Sequence, residues 1–527
     1  MNKKLSINIY LFSAILSLVL STILNFAFYK NLLKTYPLDG NIVFLSSVAL
    51  LLFLLFFIFI NLIRVRRFNN HFLFFFFPVI LIIAYTMNTY GTIYDDAMII
   101  NILQTNSEET LELLSLTFFM YLAVGLLIPL IIVKKINLIY PDRFKDFVTR
   151  LGLILISFLL MGLTIALQPK QFATFFRVHK SLRYYVNPIH PLFNASRLFV
   201  EQTLAKNQTF TVLGKEAKVR TNSPKSLTIF IVGETARADH FELNGYKRAT
   251  NPLLKNEEVL SFTNVTSCGT STAHSVPCMF SDLGRKHFDR TAAKWRSNLL
   301  DILNATNEFK ILWRDNNSSS KGVADRVVYQ DFQSNVVNTI CDPEGCRDEG
   351  MLIGLDDFIQ NNPNKNIFIV LHQIGNHGPA YFKRYPLTFE KFTPICKTSE
   401  LNECSNQNIV NTYDNALLYT DYFLAKTIQL LKKYDTEYQT LMWYESDHGE
   451  SLGENGIYLH SIPYSIAPKE QTHVPRILWL GSKLAQTKKE LKKNLNNDYS
   501  HDNIFHSILD ILDIETKIKD KNLSIFN

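Results

Sequence analysis

Long uninterrupted apolar runs dominate the first third of the chain, and short apolar runs separated by polar turns fill the remainder. The long runs lie near Ile7–Phe28, Ile42–Ile63, Phe72–Met87, Leu111–Val133 and Leu151–Leu167. A helix rises about 1.5 Å per residue, so about 20 apolar residues cross a hydrocarbon layer about 30 Å thick. Segments such as Leu50–Ile60 are apolar on every face, unlike an amphipathic helix of a soluble core. The pattern predicts five membrane-spanning helices. The third run is the shortest and contains Pro78, but it can extend through Tyr90.

Beyond these runs the pattern changes. β-rich segments recur at Leu227–Val232, Lys310–Trp313, Asn366–Leu371, Thr440–Tyr444 and Val474–Leu480, with helical stretches such as Ile409–Leu431 between them. Strands alternating with helices predict an α/β domain with a central, mostly parallel sheet covered on both faces. The stretch Pro169–Phe199 mixes Phe172, Phe175, Phe176, Tyr184 and Tyr185 with Lys170, Arg177, Lys180 and Arg183, a composition suited to a headgroup layer. The expected organisation is a transmembrane domain over 1–168, an interfacial linker over 169–214 and a soluble domain over 215–527.

Charge refines this picture. Lys3 and Lys4 precede the first run, Arg64, Arg66 and Arg67 follow the second, and Lys134, Lys135, Arg143, Lys145 and Arg150 separate the fourth from the fifth. The opposite loops carry Lys30, Lys34 and Asp39, then Asp95, Asp96, Glu108 and Glu109. The excess of basic residues on one side predicts a cytoplasmic N-terminus, and five crossings then deliver the soluble domain to the far side. A cleavable signal peptide is the alternative for the first run, but the run is long and no Ala-x-Ala site follows. The net charge is +7, from 54 basic and 47 acidic residues. That excess is weak and sits beside apolar segments, so it predicts membrane topology and no nucleic-acid partner. With 47% hydrophobic and 19% charged residues, disorder and collagen-like repeats are excluded.

All six cysteines, Cys268, Cys278, Cys341, Cys346, Cys396 and Cys404, fall in the soluble part as three close pairs. An even count outside the cytoplasm predicts disulfides, with neighbour pairing favoured by spacing. A zinc cluster is the competing reading, although no Cys-x-x-Cys spacing occurs.

In open α/β sheets the chemistry lies beyond the carboxyl ends of the strands. Gly233-Glu234-Thr235-Ala236-Arg237 follows the first β-run, His372-Gln373-Ile374-Gly375-Asn376-His377-Gly378 the middle one, and Glu445-Ser446-Asp447-His448-Gly449-Glu450 the next to last. Carboxylates and imidazoles thus gather at strand ends, a ligand set suited to Zn²⁺. A hydroxyl-rich loop, Ser267 to Cys278, contains Thr270, Ser271, Thr272 and Ser275 between two cysteines. A hydroxyl becomes a useful nucleophile when a base or metal lowers its pKa, which Glu234, Asp447 and His448 with a metal could do.

These motifs carry a resemblance. Ile231-Val-Gly-Glu-Thr-Ala-Arg-Ala-Asp-His-Phe241, Ser267-Cys-Gly-Thr-Ser-Thr272, Val276-Pro-Cys-Met-Phe-Ser281, Asn376-His-Gly-Pro379 and Ser446-Asp-His-Gly-Glu450 resemble the lipid A phosphoethanolamine transferases, especially the polymyxin-resistance members. That family belongs to the alkaline-phosphatase/sulfatase superfamily. The resemblance implies a five-helix transmembrane bundle followed by a sulfatase-like catalytic domain with three disulfides. It implies transfer of phosphoethanolamine from phosphatidylethanolamine to a lipid A phosphate through a phosphothreonine. By position, Thr272 matches the nucleophile, and Glu234, Asp447 and His448 match its fellow zinc ligands. His377 and His460 match positions that bind substrate or a second zinc, and Lys321 matches a phosphate-contacting lysine. Asn101, Thr105 and Glu109 match residues that contact the lipid substrate. Their i, i+4, i+8 spacing predicts a single helix face. His372 lies near these groups, His274 receives no role, and Glu445 is charged where the family leads one to expect a smaller or apolar residue. The implied setting is a monomer in a bacterial inner membrane with a periplasmic catalytic domain.

The competing readings are a transferase of phosphoethanolamine or phosphoglycerol acting on another envelope glycan, a sulfatase, and a membrane-anchored binding or transport protein. A sulfatase lacks support because no Cys-x-Pro-x-Arg occurs. Transport predicts ionisable residues inside the spans, and these are nearly absent.

Overall fold

The computed structural model describes residues 5–63, 75–105, 107–205 and 208–527. The chain divides into two compact units. One comprises Met1–Asp95 and Leu114–Ser196, and the other comprises Asp96–Leu113 and Arg197–Asn527.

The first unit is built from apolar helices. Three are long and apolar enough to cross a membrane: Ile9–Thr35, Ile42–Ile63 and Arg143–Leu167. Two shorter apolar helices, Phe77–Thr89 and Leu116–Ile132, occupy the other two expected positions. The expectation of five full-length spans is corrected to three among the described residues. Thirteen residues rise only about 20 Å. Pro78 sits in the first turn of this helix, where its missing amide leaves no hydrogen bond unmade. Part of the expected third span, residues 72–74, lies outside the described residues. Leu20, Phe28, Phe44, Leu52, Phe56, Phe77 and Leu81 form the centre of this unit. Phe172, from the aromatic-basic stretch, inserts into it beside Phe44, with ring centroids 5.1 Å apart. Asn25 and Asn187 are buried and bond each other, Asn25 Nδ2 donating to the Asn187 carbonyl and Oδ1 accepting the Asn187 amide. These bonds offset the cost of placing the Asn25 side-chain amide among apolar side chains.

The second unit carries an eight-stranded sheet. In chain order the strands are β1 (Ser226–Gly233), β2 (Leu260–Thr266), β3 (Phe309–Asp315), β4 (Val328–Asp331), β5 (Asn366–His372), β6 (Gln439–Ser446), β7 (His473–Leu480) and β8 (Tyr499–Ser500). Their spatial order is β8-β2-β7-β6-β1-β5-β3-β4. β7 runs antiparallel to both its neighbours, and every other pairing is parallel. β1 lies between β6 and β5, with every residue buried. Its Phe230 and Val232 face a core shared with Leu299, Leu300, Ile508 and Leu509. Its Leu227, Ile229 and Ile231 face a second core shared with Leu417, Leu424 and Ile428 of the helix Asn406–Lys432. Burying each such side chain contributes about 1.5–3 kcal/mol. Two covered faces explain why these strands read as continuous apolar runs.

The six cysteines form Cys268–Cys278, Cys341–Cys346 and Cys396–Cys404. Neighbour pairing therefore holds.

Candidate active site

Because β1, β3, β5 and β6 are parallel, their carboxyl ends open on one edge of the sheet. Glu234 follows β1, Asn316 and Asn317 follow β3, His372 ends β5, and Asp447 and His448 follow β6. The turn after β5 packs directly on Glu234. Gly375 there has φ +49°, and a Cβ would stand 2.9 Å from the Glu234 carbonyl oxygen. Only glycine meets both conditions.

Thr272 opens the helix Thr272–Met279 inside the Cys268–Cys278 loop. Its Oγ1 donates to Glu234 Oε2 at 3.1 Å and lies 3.3 Å from His448 Nε2. His448 Nδ1 lies 2.9 Å from the Gly449 carbonyl, which can only accept, so the proton sits on Nδ1 and the Nε2 lone pair points into the cluster. Nε2 stands 3.4 Å from both Glu234 Oε1 and Asp447 Oδ2. Asp447 Oδ1 accepts the His448 and Thr235 amides at 2.8 and 3.3 Å, which orients the carboxylate.

Glu234, Thr272, Asp447 and His448 are all buried, and Glu234 Oε1 and Asp447 Oδ2 have no hydrogen-bond partner. Two carboxylates with unpaired oxygens cannot be desolvated cheaply. A cation answers that cost, and one ligand atom each from Glu234, Asp447 and His448 lies within 4.8 Å of the others. Two carboxylate oxygens, an imidazole nitrogen and a hydroxyl make a donor set that fits a divalent metal. Without such a cation, burial and the nearby Asp447 push the Glu234 carboxyl up, burial pushes Asp447 up, and burial with the neighbouring His460 drives His448 down to about 4.

A second tier surrounds this cluster. The His460 ring lies 4.4 Å from that of His448 and 5.5 Å from that of His377. His460 Nδ1 faces Glu450 Oε2 at 3.3 Å. His377 Nδ1 is buried without a hydrogen-bond partner. Burial, then the charges of His460, Arg384, His448 and Lys321, hold His377 well below the usual imidazole range. Lys321 Nζ donates to the carbonyl and hydroxyl of Ser318 at 2.8 and 2.6 Å. The structure thus gathers Lys321, His377 and His460 beside the four central residues. His372 also belongs here. Its Nδ1 pairs with Asp315 at 2.9 Å, while its buried Nε2 has no hydrogen-bond partner. Burial opposes its charge, yet Asp315, Glu234 and Asp447 hold its pKa above the usual value.

Sequence reasoning missed Asn317, whose Nδ2 donates to Glu234 Oε2 and to the Gln373 carbonyl, both at 2.8 Å. It follows β3 just as Glu234 follows β1, so the strand-end rule could have found it. Asp315, which orients His372, has the same signature. His274, which received no role, packs its ring against Phe288 at 5.0 Å.

Asn101 and Thr105 lie in the segment Asp96–Leu113 of the second unit, where the helix Asp96–Gln104 packs on the helix Thr272–Met279. The single helix face expected for Asn101, Thr105 and Glu109 is corrected. The helix ends at Gln104, and a separate helix spans Ser107–Glu112. Thr105 Oγ1 donates back to the Asn101 carbonyl at 2.8 Å. Such local bonding competes with helix continuation. The side chain of Glu109 lies outside the described residues.

The family model described as Sulfatase matches residues 226–514, and that described as Phosphoethanolamine transferase EptA/EptB matches residues 52–203. The phosphatidylethanolamine transferase Mcr-1 of Escherichia coli is 42% identical, over 99% of this chain and 98% of its own. The phosphoethanolamine transferase EptA of Escherichia coli K12 is 38% identical, over 98% and 96%. The solved structure of the integral membrane lipooligosaccharide phosphoethanolamine transferase A of Neisseria meningitidis superposes with a TM-score of 0.94 at 34% identity, covering 99% of this chain and 98% of that one. With apolar N-terminal helices, a sulfatase-like α/β domain and near full-length likeness to these enzymes, the chain belongs to the phosphoethanolamine transferase family.

Proposed function

We propose that the protein transfers phosphoethanolamine from phosphatidylethanolamine to a phosphate group of lipid A, with Thr272 as covalent nucleophile. The observation that carries this reading is the Thr272 hydroxyl, 3.1 Å from Glu234 and 3.3 Å from His448 inside a buried acidic cluster. Full-length likeness to phosphoethanolamine transferases supports the transferred group.

In the first half-reaction Thr272 Oγ1 bonds to the donor phosphorus, and the bond from phosphorus to the diacylglycerol oxygen breaks. Net, the hydroxyl proton passes to that oxygen, and Glu234 Oε2, which already accepts the hydrogen bond, is placed to relay it. In the second half-reaction a lipid A phosphate oxygen bonds to the same phosphorus, the bond from phosphorus to Thr272 Oγ1 breaks, and Oγ1 takes back a proton, net from the attacking phosphate. Splitting the transfer this way is covalent, ping-pong catalysis. Glu234, Asp447, His448 and the Thr272 oxygen would hold Zn²⁺, which supplies a lowered hydroxyl pKa and charge neutralisation on phosphate. His377 and His460 would contact the substrate or hold a second zinc, Lys321 would contact phosphate, and Asn101, Thr105 and Glu109 would contact the lipid headgroup.

Both substrates are lipids, which accounts for the apolar helices. The three disulfides suit an oxidising compartment and support a periplasmic catalytic unit. In this reading the basic loops keep the N-terminus in the cytoplasm, and the protein works as a monomer in the inner membrane. Each transfer adds an ammonium to an anionic lipid, which weakens attraction for cationic polymyxins.

Mass spectrometry of lipid A from cells carrying the wild type, the Thr272→Ala variant or neither tests the reading. Phosphoethanolamine-modified lipid A with the wild type alone is expected. Unmodified lipid A with the wild type, or modification by Thr272→Ala at the wild-type level, would overturn it.

A further inference from the structure

Glu445, charged where the family resemblance leads one to expect a smaller or apolar residue, is a fully buried carboxylate two positions before Asp447. Its partner is Arg476, directly opposite in the antiparallel pairing of β6 with β7. Arg476 Nε and Nη2 donate to the two carboxylate oxygens at 2.7 and 2.8 Å, and Trp443 Nε1 donates to Oε2 at 2.9 Å. Such a bidentate pair is charge-neutral and directional. Arg476 Nη2 also donates to the Ser500 carbonyl at 2.7 Å, which fixes the backbone just before His501.

His501 lies at the seam between the two halves of the site. Its Nδ1 accepts the Cys268 amide at 3.0 Å. A backbone amide can only donate, so Nδ1 carries no proton and Nε2 does. Nε2 donates to the Ser446 carbonyl at 3.0 Å, with Glu445 Oε1 at 3.6 Å. Ser275 Oγ lies 3.3 Å from Nδ1 and donates to the Asp447 carbonyl. One neutral ring therefore bonds both the strand end that bears Asp447 and His448 and the disulfide-closed loop that bears Thr272. Burial keeps the ring neutral, with its pKa pushed down to about 4, while Glu445 and Arg476 act on it in opposite directions.

We propose that His501 is a positioning residue for the transfer, its imidazole, backed by the Glu445–Arg476 pair, setting the spacing between the Thr272 hydroxyl and the Asp447–His448 turn. His501 acts through these groups and touches no substrate. The inference rests on the reading of Thr272 as nucleophile. It follows that losing the ring's hydrogen bonds lowers kcat while sparing donor binding. Displacing a reacting group by about 1 Å costs on the order of 100-fold in rate.

The test uses the full chain in mixed micelles with fluorescent phosphatidylethanolamine, reading kcat and KM for diacylglycerol release, together with zinc content and Tm. His501→Phe keeps the ring's bulk and loses both hydrogen bonds. His501→Asn offers an acceptor near the Nδ1 position, and His501→Gln a donor near Nε2. The expected result is a kcat at least about tenfold lower for His501→Phe, with KM and zinc content within about twofold of wild type, and partial recovery in His501→Asn. A kcat for His501→Phe within about twofold of wild type would overturn the proposal. So would activity that falls only in step with zinc content or Tm. If His501→Phe does not fold, equal kcat for the Asn and Gln variants would overturn it, and a higher kcat for Asn supports it. Thr272→Ala runs beside them. Turnover by that variant defeats the nucleophile reading, whereas a silent Thr272→Ala beside a normal His501→Phe defeats this proposal alone.

Discussion

Arg384 and Glu112 form an ion pair in which both side chains are largely buried. Glu112 ends the short helix Ser107–Glu112, and Arg384 also donates through Nε to the His377 carbonyl at 2.7 Å. The segment bearing Asn101 and Thr105 is thus fastened to the loop bearing His377 by one guanidinium. Both belong to the same compact unit.

Removing one partner of a buried pair leaves an uncompensated charge and costs about 3–5 kcal/mol. In the Glu112→Ala variant that cost falls locally, because the affected helix is short. Hydrogen exchange in peptides from Asp96–Leu113 is expected to accelerate by about tenfold or more, with zinc content unchanged. Exchange equal to wild type would show that apolar contacts, and not the ion pair, hold the segment down.

The legible parts of this chain were those where one physical signal dominated. β1, β3, β5, β6 and β7 are buried apolar runs, and each emerged within two residues of its observed limits. β2 did not, because its buried positions Leu260, Phe262 and Val265 break the two-residue alternation where its pairing with β7 shifts register. β8 is two residues long and leaves no pattern. Glu234, Asp447 and His448 were visible because they follow strong strands. Asn317 follows one too, yet a neutral amide gave no hint of chemistry. Glu445 was odd only in isolation. Its explanation, Arg476, lies on another strand and exists only through sheet register.

Metal removal should expose the strain of the buried carboxylates. Without a bound cation, burial raises Asp447, burial and Asp447 raise Glu234, and burial raises Glu450 to about 8. A carboxyl whose folded pKa exceeds its unfolded value binds more protons when folded, so its contribution to stability falls as pH rises through that window. His448 and His460 act oppositely. Burial holds both at about 4, so their contribution grows with pH and is complete above about 6.5. Above about pH 6.5 the raised carboxyls alone still change among these groups. Zinc held by the ionised Glu234 and Asp447 would cancel their penalty. The Tm gap between zinc-loaded and chelated protein is therefore expected to widen from about pH 6.5 to about pH 8.5. Differential scanning fluorimetry across that range checks it, and a flat or narrowing gap would mean the carboxylates are already ionised in the chelated protein.

The Glu445–Arg476 pair makes a separate prediction about stability. Both residues are fully buried, and the carboxylate accepts three hydrogen bonds, two from Arg476 and one from Trp443. Each charge is tolerated only because the other is present. Arg476→Met leaves a carboxylate between apolar strands, and Glu445→Val leaves a guanidinium among the rings of Trp443, Phe262 and Tyr499. Either single change is expected to cost about 3–5 kcal/mol, the penalty for an unpaired buried charge. The double variant removes both charges and makes the pairing of β6 with β7 apolar there, like the two pairs that precede it, Trp443–Leu478 and Tyr444–Ile477. Its loss should be far smaller than the sum of the single losses, because replacing a buried ion pair by apolar side chains is often neutral or stabilising. A double-mutant cycle read by thermal or denaturant unfolding of the full chain measures the coupling. Strictly additive losses would mean that the two charges are independently satisfied and that the pair is incidental to the packing of this sheet.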